Sequence, residues 1–249
     1  MRSAPVADFL TIMRVCSAVR SCVDSMRSLL LPLLLSLFPG IAASAEGDVA
    51  ALQRLAPDAD PRVLSLALEA RDCAAGNLGG GPSSRLAVID YSRPSTEPRL
   101  WVFDLANNTL LFREFVAHGQ GTGENHAHAF SNRDGSHQSS LGLFRTGDTY
   151  VGHNGYSLRM EGLEPGINDA AMARAIVMHG AAYVNPAMAR QQGRLGRSWG
   201  CPTLRPEVAA AVIDSLKNGQ MIFAYYPDSN WLAHSPFLDC PRRRVVAAN

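Results

Sequence analysis

The stretch that most limits the fold runs from Ala175 to Leu204. Four apolar residues, Ala175, Ile176, Val177 and Met178, lead straight into His179-Gly180 and, further on, into Ser198-Trp199-Gly200-Cys201-Pro202. A short apolar run of this kind suits a strand buried on both faces, and a glycine after it lets the backbone turn closely behind the ring. His179 then falls at a strand end. The tight turn around Cys201 can aim successive backbone N–H groups at one point, which is what a developing oxyanion requires. A free thiol with a pKa near ~8.5 is mostly protonated at neutral pH and only the thiolate attacks, so a neighbouring imidazole has a task. The expectation is a cysteine-nucleophile acyl transferase: Cys201 attacks, His179 takes its proton, and Ser198, Gly180 and Gly200 shape the site, with backbone amides at Gly200 and Cys201 holding the oxyanion. A lone cysteine and a lone histidine read more simply as a small buried hydrophobe and a hydrogen-bonded core residue. The motif around them favours the chemical reading.

HGAAYV at 179–184 followed by GRLGRSWGCP at 193–202 resembles the murein L,D-transpeptidase catalytic domain family, a branch of the L,D-transpeptidases with their His-Gly and Ser-x-Gly-Cys signature. Further matches are RLWV at 99–102, VAHG at 116–119, FSNR at 130–133 and GSHQSSLG at 135–142, so the resemblance spans about Leu86 to Tyr226. It implies a mainly β domain of mixed sheet with flanking helices, a thioacyl-enzyme on Cys201, His179 as base, peptidoglycan stem peptides as substrate, and no cofactor or metal. One departure is informative: the arginine common in the broader family two residues after the nucleophile is Thr203 here, with Pro202 between. Stem peptides carry free carboxylates and guanidinium groups grip carboxylates in bidentate fashion, so Arg197 and Arg194 are the expected replacements, the bland alternative being solvated loop charges. Trp199 either stacks on substrate or fills the core. The same Cys/His pair would also serve hydrolysis, as an L,D-carboxypeptidase or amidase, and a cell-wall binding module with a vestigial pair is the alternative outside enzymes.

The N-terminal segment reads differently from the rest. Leu29 to Phe38 is an apolar run after Arg27, and Ala43-Ser44-Ala45 is a small-residue cleavage pattern, so residues 1–45 are expected to be a secretory leader. Met26 offers an alternative start that would supply the basic n-region itself. The run is shorter than the ~20 residues of a membrane span and contains Pro32, so no stable membrane insertion is expected. Export to the periplasm or cell envelope follows. Cys16 and Cys22 would leave with the leader, and Cys73, Cys201 and Cys240 remain. An odd count in an oxidising compartment suggests one reactive thiol, with Cys73 and Cys240 either paired or both free.

A helical lead-in and Gly/Pro/Ser linker are expected over 46–84, the catalytic domain over 85–227 and a surface tail over 228–249. Asp60-Pro61 marks a helix start, with Val63, Leu64, Ala67 and Leu68 at helical spacing. Strands are expected at Leu86–Tyr91, Arg99–Leu105 and Leu110–Val116, the second with one face buried and the other partly covered, then two more over Leu143–Met160 punctuated at Gly147-Asp148 and Asn154-Gly155. Pro206 opens a helix with Ala209, Val212, Ile213 and Leu216 on one face, and Met221–Tyr226 closes the sheet.

His118, His126, His128 and His137 fall within twenty residues. No carboxylate or cysteine set completes a zinc pattern there, so a metal is not expected. The stretch is expected to wall the cleft, with Ser139 and His137 towards substrate, His137 equally fitting a structural hydrogen bond. Formal charge +1 and the lack of a basic stripe leave no footprint for nucleic acid. Nothing in the sequence speaks to oligomeric state.

Overall fold

The computed structural model describes residues 40–78, 82–238 and 240. The leader's basic and apolar regions, Gly79 to Gly81 of the linker and Arg242 to Arg244 lie outside the described residues. Two helices come first, α1 (Gly40–Leu55) and α2 (Pro61–Leu78). Asp60 caps α2: its carboxylate accepts from the Arg62 N–H at 2.7 Å and its carbonyl from the Leu64 N–H at 3.0 Å, while Pro61 fills a first-turn position where no N–H is needed. Val63, Leu64, Ala67 and Leu68 are buried, as their spacing predicts.

Eight strands form one mixed sheet: β1 (Arg85–Asp90), β2 (Leu100–Asp104), β3 (Thr109–Glu114), β4 (Gly142–Gly152), β5 (Gly155–Gly162), β6 (Val177–Gly180), β7 (Thr203–Leu204) and β8 (Met221–Tyr225). Their spatial order is β3-β2-β1-β8-β4-β5-β6-β7. Neighbours are antiparallel except β1–β8 and β6–β7, which run parallel. Helices α3 (Pro186–Gln192), α4 (Pro206–Leu216) and α5 (Ser229–His234) complete the chain. α2 packs on β1, β4 and β8, and α4 on β1, β5 and β6. The β-rich fold with flanking helices therefore stands as expected from the sequence.

Three local expectations are corrected. Every residue of β2 is buried, so neither face is only partly covered. Asp58, in the α1–α2 connection, accepts from Trp101 Nε1 at 3.3 Å, and the Arg93 guanidinium lies 5.4 Å from the indole centroid. Gly147-Asp148 makes no turn: β4 continues through it as a bulge, with Thr146 opposite Met160 but Thr149 opposite Leu158. Lastly, the segment after 228 is no simple surface tail. Asp228 accepts from the Trp231 N–H at 2.8 Å and starts α5, and Trp231 is 2 % exposed, its ring 5.6 Å from Phe223 and its Nε1 donating to Glu164 Oε2 at 2.9 Å. The other carboxylate oxygen of Glu164 accepts from the Leu143 N–H at 2.7 Å, so this buried acid joins α5 to the start of β4. Burial pushes its carboxyl up, opposed by the Leu143 N–H, the Ser235 hydroxyl and the Trp231 indole.

Cys73 and Cys240 form a disulfide across 167 residues, settling the pairing the sequence leaves open, and Cys201 is free. The bond ties α2 to the far end of the chain and so closes a loop around the whole sheet. In the chain-entropy account such a long loop gives the upper part of the usual range. Replacing both Cys73 and Cys240 by Ala is expected to lower the free energy of unfolding in urea by about 2–5 kcal/mol.

Candidate active site

The short parallel ladder between β6 and β7 brings the two reactive side chains together. His179 pairs with Thr203 and Gly180 with Leu204. Two residues before each partner in this register stand Val177 and Cys201, and the Val177 N–H does approach Cys201 Sγ, at 3.5 Å. The thiol itself is directed at the Ala175 carbonyl, 3.8 Å away. Ala175 holds φ 52°, the left-handed region that an L side chain disfavours, and the structure keeps it there through Ala175 N–H to Met172 O at 3.1 Å and Ile176 N–H to Ala171 O at 2.9 Å.

His179 is 4 % exposed. Its Nδ1 lies 3.1 Å from the Gly180 carbonyl, which can only accept, so Nδ1 carries the proton and Nε2 has the free lone pair. Nε2 lies 3.3 Å from Thr203 Oγ1. That hydroxyl accepts from Tyr183 at 3.1 Å and also lies 3.2 Å from the Cys201 carbonyl. It has one proton for two acceptors. Given to the Cys201 carbonyl, it leaves the imidazole lone pair open to the thiol. Thr203 Oγ1 thus lies between the His179 ring and the Cys201 carbonyl.

The turn carrying Cys201 is braced from both sides. Ser198 Oγ donates to the Cys201 carbonyl at 2.7 Å and accepts from the Gly200 N–H at 3.1 Å. The Gly200 amide is therefore occupied, a correction to its expected place in an oxyanion hole, whereas no protein acceptor for the Cys201 N–H occurs among the described residues. Gly200 contributes through its backbone: φ is 123°, and a Cβ would stand 2.8 Å from the Gln138 carbonyl and 2.9 Å from Ile176 Cδ1. Gly180 is likewise closed to a side chain, because its Cβ would meet that of Ala209 on α4 at 2.8 Å.

A cavity of about 610 Å³ opens over these groups, lined among others by Arg174, His179, Tyr183, Arg197, Trp199 and Cys201. His153 and Asn154 reach it from the β4–β5 turn. Trp199 is 72 % exposed, which excludes a core role, and stacks on His137 with centroids 5.0 Å apart. His137 accepts from Gln120 Nε2 at 2.8 Å and props the indole rather than lining the cavity. Ser139 is a correction: it is 1 % exposed, donates to the Gly200 carbonyl and accepts from the Gly119 N–H, both at 3.0 Å, so it supports the turn from behind. The two arginines chosen from sequence share one carboxylate, Glu124, at 2.6 Å from Arg194 Nε and 2.8 Å from Arg197 Nη1. Arg197 still lines the cavity; Arg194 does not. Arg174, Tyr183 and His153 are cavity residues to which the sequence reading gave no role, since none belongs to the Ser-x-Gly-Cys or His-Gly pair.

Burial sets the charge state. It pushes the Cys201 thiol up, opposed by the Val177 N–H and by Arg174, and it pushes the His179 imidazole down, opposed by the Gly180 carbonyl. The resting pair is neutral on both sides. The four histidines near 118–137 do not cluster: His118 is buried between Arg99 and the Gly123 carbonyl, and among the described residues no group of three or more His, Cys, Asp or Glu is placed to hold a metal.

The chain belongs to the L,D-transpeptidase catalytic domain family, which matches residues 55–225. No curated protein matches it. Solved structures similar to it include an L,D-transpeptidase from Mycobacterium smegmatis, at 15% identity over 59% of this chain and 61% of that one with TM-score 0.36. Another is Mycobacterium tuberculosis L,D-transpeptidase 1, at 14% identity over 59% and 63% with TM-score 0.33. The helical cell shape determining protein Pgp2 from Campylobacter jejuni shares 10% identity over 67% and 57% with TM-score 0.39. The chain thus spans about three fifths of the length of these solved relatives.

Gly200→Ala would place a methyl group against the Gln138 carbonyl at a backbone angle that penalises it. The variant is expected to lose about 2–3 kcal/mol of stability in denaturant unfolding and, where still folded, to alkylate at Cys201 with altered kinetics.

Proposed function

We propose that the protein is a cysteine-dependent L,D-transpeptidase that acts on peptidoglycan stem peptides through a thioacyl-enzyme on Cys201. The observation that carries this reading is the β6–β7 register, which sets the one free thiol among the described residues and a singly protonated imidazole on the same cavity. Membership of the family supports the substrate class. The exported location proposed with it rests on the leader-like sequence at Arg27 to Ala45.

The steps follow from the groups present. The thiol turns from the Ala175 carbonyl, gives its proton to His179 Nε2, and sulfur attacks the carbonyl carbon of an L,D-peptide bond in the donor stem. Charge collects on the carbonyl oxygen, where the Cys201 N–H can donate. The imidazolium protonates the departing amine, a terminal D-amino acid leaves, and the acyl group stays on sulfur. An acceptor amine, deprotonated by His179, then attacks the thioester; the C–S bond breaks and the thiolate takes back a proton. Exposed Trp199 and its His137 prop offer a flat apolar rim for the stem.

Intact-mass measurement with purified tetrapeptide-stem muropeptides tests the covalent step. An increment equal to the donor minus one D-amino acid, absent from Cys201→Ala, is expected, and cross-linked stems should appear as product. Folded, reduced protein with no Cys201-dependent adduct or product would remove the proposal; release to water alone would make it a carboxypeptidase. The pH profile supplies a second expectation. Because His179 must be neutral to act as base and burial holds it below the ordinary 6.5, kcat/KM should stay flat as pH falls through 6.5 and decline only below it.

A further inference from the structure

Three arginines come near the cleft, and their charges are handled differently. Arg194 and Arg197 are both met by Glu124. Arg174 is held only by neutral acceptors: its Nη1 donates to the Ser131 carbonyl and Ser140 Oγ, both at 2.6 Å, and its Nη2 to the Gln138 carbonyl at 2.6 Å and Ser136 Oγ at 3.2 Å. Asp134 acts on it from beyond ion-pair distance. Arg174 lines the cavity with Cys201 and directly precedes Ala175, the residue whose carbonyl receives the thiol. Its four bonds also clamp the 131–140 wall, whose Gln138 carbonyl and Ser139 hydroxyl rest against Gly200.

Other titratable groups surround the thiol, and His153 of the β4–β5 turn lines the same cavity. His179, from β6, is held below its ordinary value by burial, Tyr183 is raised by burial, and Tyr91, after β1, is pushed up to about 12. Arg99 stands behind the Tyr91 ring, 5.1 Å from its centroid, and is bonded to the Val116 carbonyl. Arg197 is neutralised by Glu124.

We propose that Arg174 is the positioning residue and charge partner of the Cys201 thiolate: its unpaired guanidinium favours the anion once the S–H bond breaks, while its hydrogen bonds fix the wall behind the nucleophile's turn. This rests on the reading of Cys201 as nucleophile and is a different role from the carboxylate binding expected of Arg194 and Arg197. It assigns the residue to the thiol and not to a step in peptidoglycan, so its test needs no substrate and fails separately from the transpeptidase reading.

The test follows alkylation of the full-length chain by iodoacetamide from about pH 6 to about pH 11, subtracting the signal of Cys201→Ala so that only Cys201 is read. Arg174→Gln is expected to move the midpoint upward and slow alkylation about tenfold near pH 7.5, with the limiting rate at high pH unchanged. Arg174→Lys, which keeps the charge and loses the planar fork, should keep the midpoint near that of the parent. A merely structural arginine would give Lys and Gln variants that behave alike, or a changed limiting rate with an unmoved midpoint, and either result overturns the proposal. Should Arg174→Gln not fold, the unmodified protein decides. Anionic iodoacetate, relative to iodoacetamide, should react better with Cys201 than with free cysteine, and the advantage should fade as salt is raised. A ratio at or below that of free cysteine overturns the proposal.

Discussion

Two residues of parallel pairing between β6 and β7 hold the site together, and a ladder that short cannot stand by itself. Thr203 is therefore gripped from the other side as well: the Ala117 N–H donates to its carbonyl at 2.9 Å and its own N–H donates to the Ala117 carbonyl at 3.3 Å. The Ser198 N–H donates to the His118 carbonyl at 3.0 Å, and the Gln120 N–H returns a bond to the Ser198 carbonyl at 2.8 Å. β7 and the turn before it are thus held between β6 and the 116–120 segment. α4 starts at once after β7 and closes over Gly180, so the register His179–Thr203 has no room to slip.

The 116–120 segment depends in turn on a buried cation with no carboxylate. Arg99 is fully buried and gives Nε and Nη2 to the Val116 carbonyl at 3.1 and 2.9 Å, Nη1 to the Arg93 carbonyl at 2.8 Å, and Nη2 to His118 Nδ1 at 2.8 Å. This works because His118 is neutral, its pKa pushed down to about 3 by burial and by Arg99 itself. A neutral ring can accept at Nδ1 and donate from Nε2 to the Gly123 carbonyl; a protonated one would point N–H at a guanidinium. A chain of burial and hydrogen bonding therefore runs from Arg99 through His118 and Ser198 to the carbonyl of Cys201.

What the sequence revealed and what it hid divide along physical lines. Asp60-Pro61, the apolar face of α4 and the His-Gly and Ser-x-Gly-Cys pairs are local signals, set by residues within one turn or strand, and all could be read directly. Most of the errors concern partners distant in the chain. Arg194 and Arg197 looked free because Glu124 lies about seventy residues upstream, and Arg174 looked unremarkable because its partners, Ser131 to Ser140, fold back on it through a loop with no periodicity. Trp231 sits in a six-residue helix, too short to show a helical stripe, and is anchored by Glu164 from a turn after β5. Gly200 was read as a donor although a serine two residues earlier competes for its N–H, a contest that only the turn's conformation decides.

The same burial that shapes the nucleophile also restrains it. It raises the thiol and lowers the imidazole, so both shifts favour the neutral pair, and the separated thiolate–imidazolium pair must form between largely buried groups. The resting geometry agrees, since the thiol is bonded to Ala175 and Val177 while Nε2 faces Thr203. On the proposed mechanism, proton transfer requires the thiol to leave Ala175 and the Thr203 hydroxyl to turn to the Cys201 carbonyl, and the new anion must then meet a cation. An uncompensated guanidinium already fixed in the cavity wall costs no reorganisation at that moment, whereas Arg197 would first have to break from Glu124. Among the cations of the cleft, Arg174 is therefore the one whose placement suits a nucleophile stored in its protonated form.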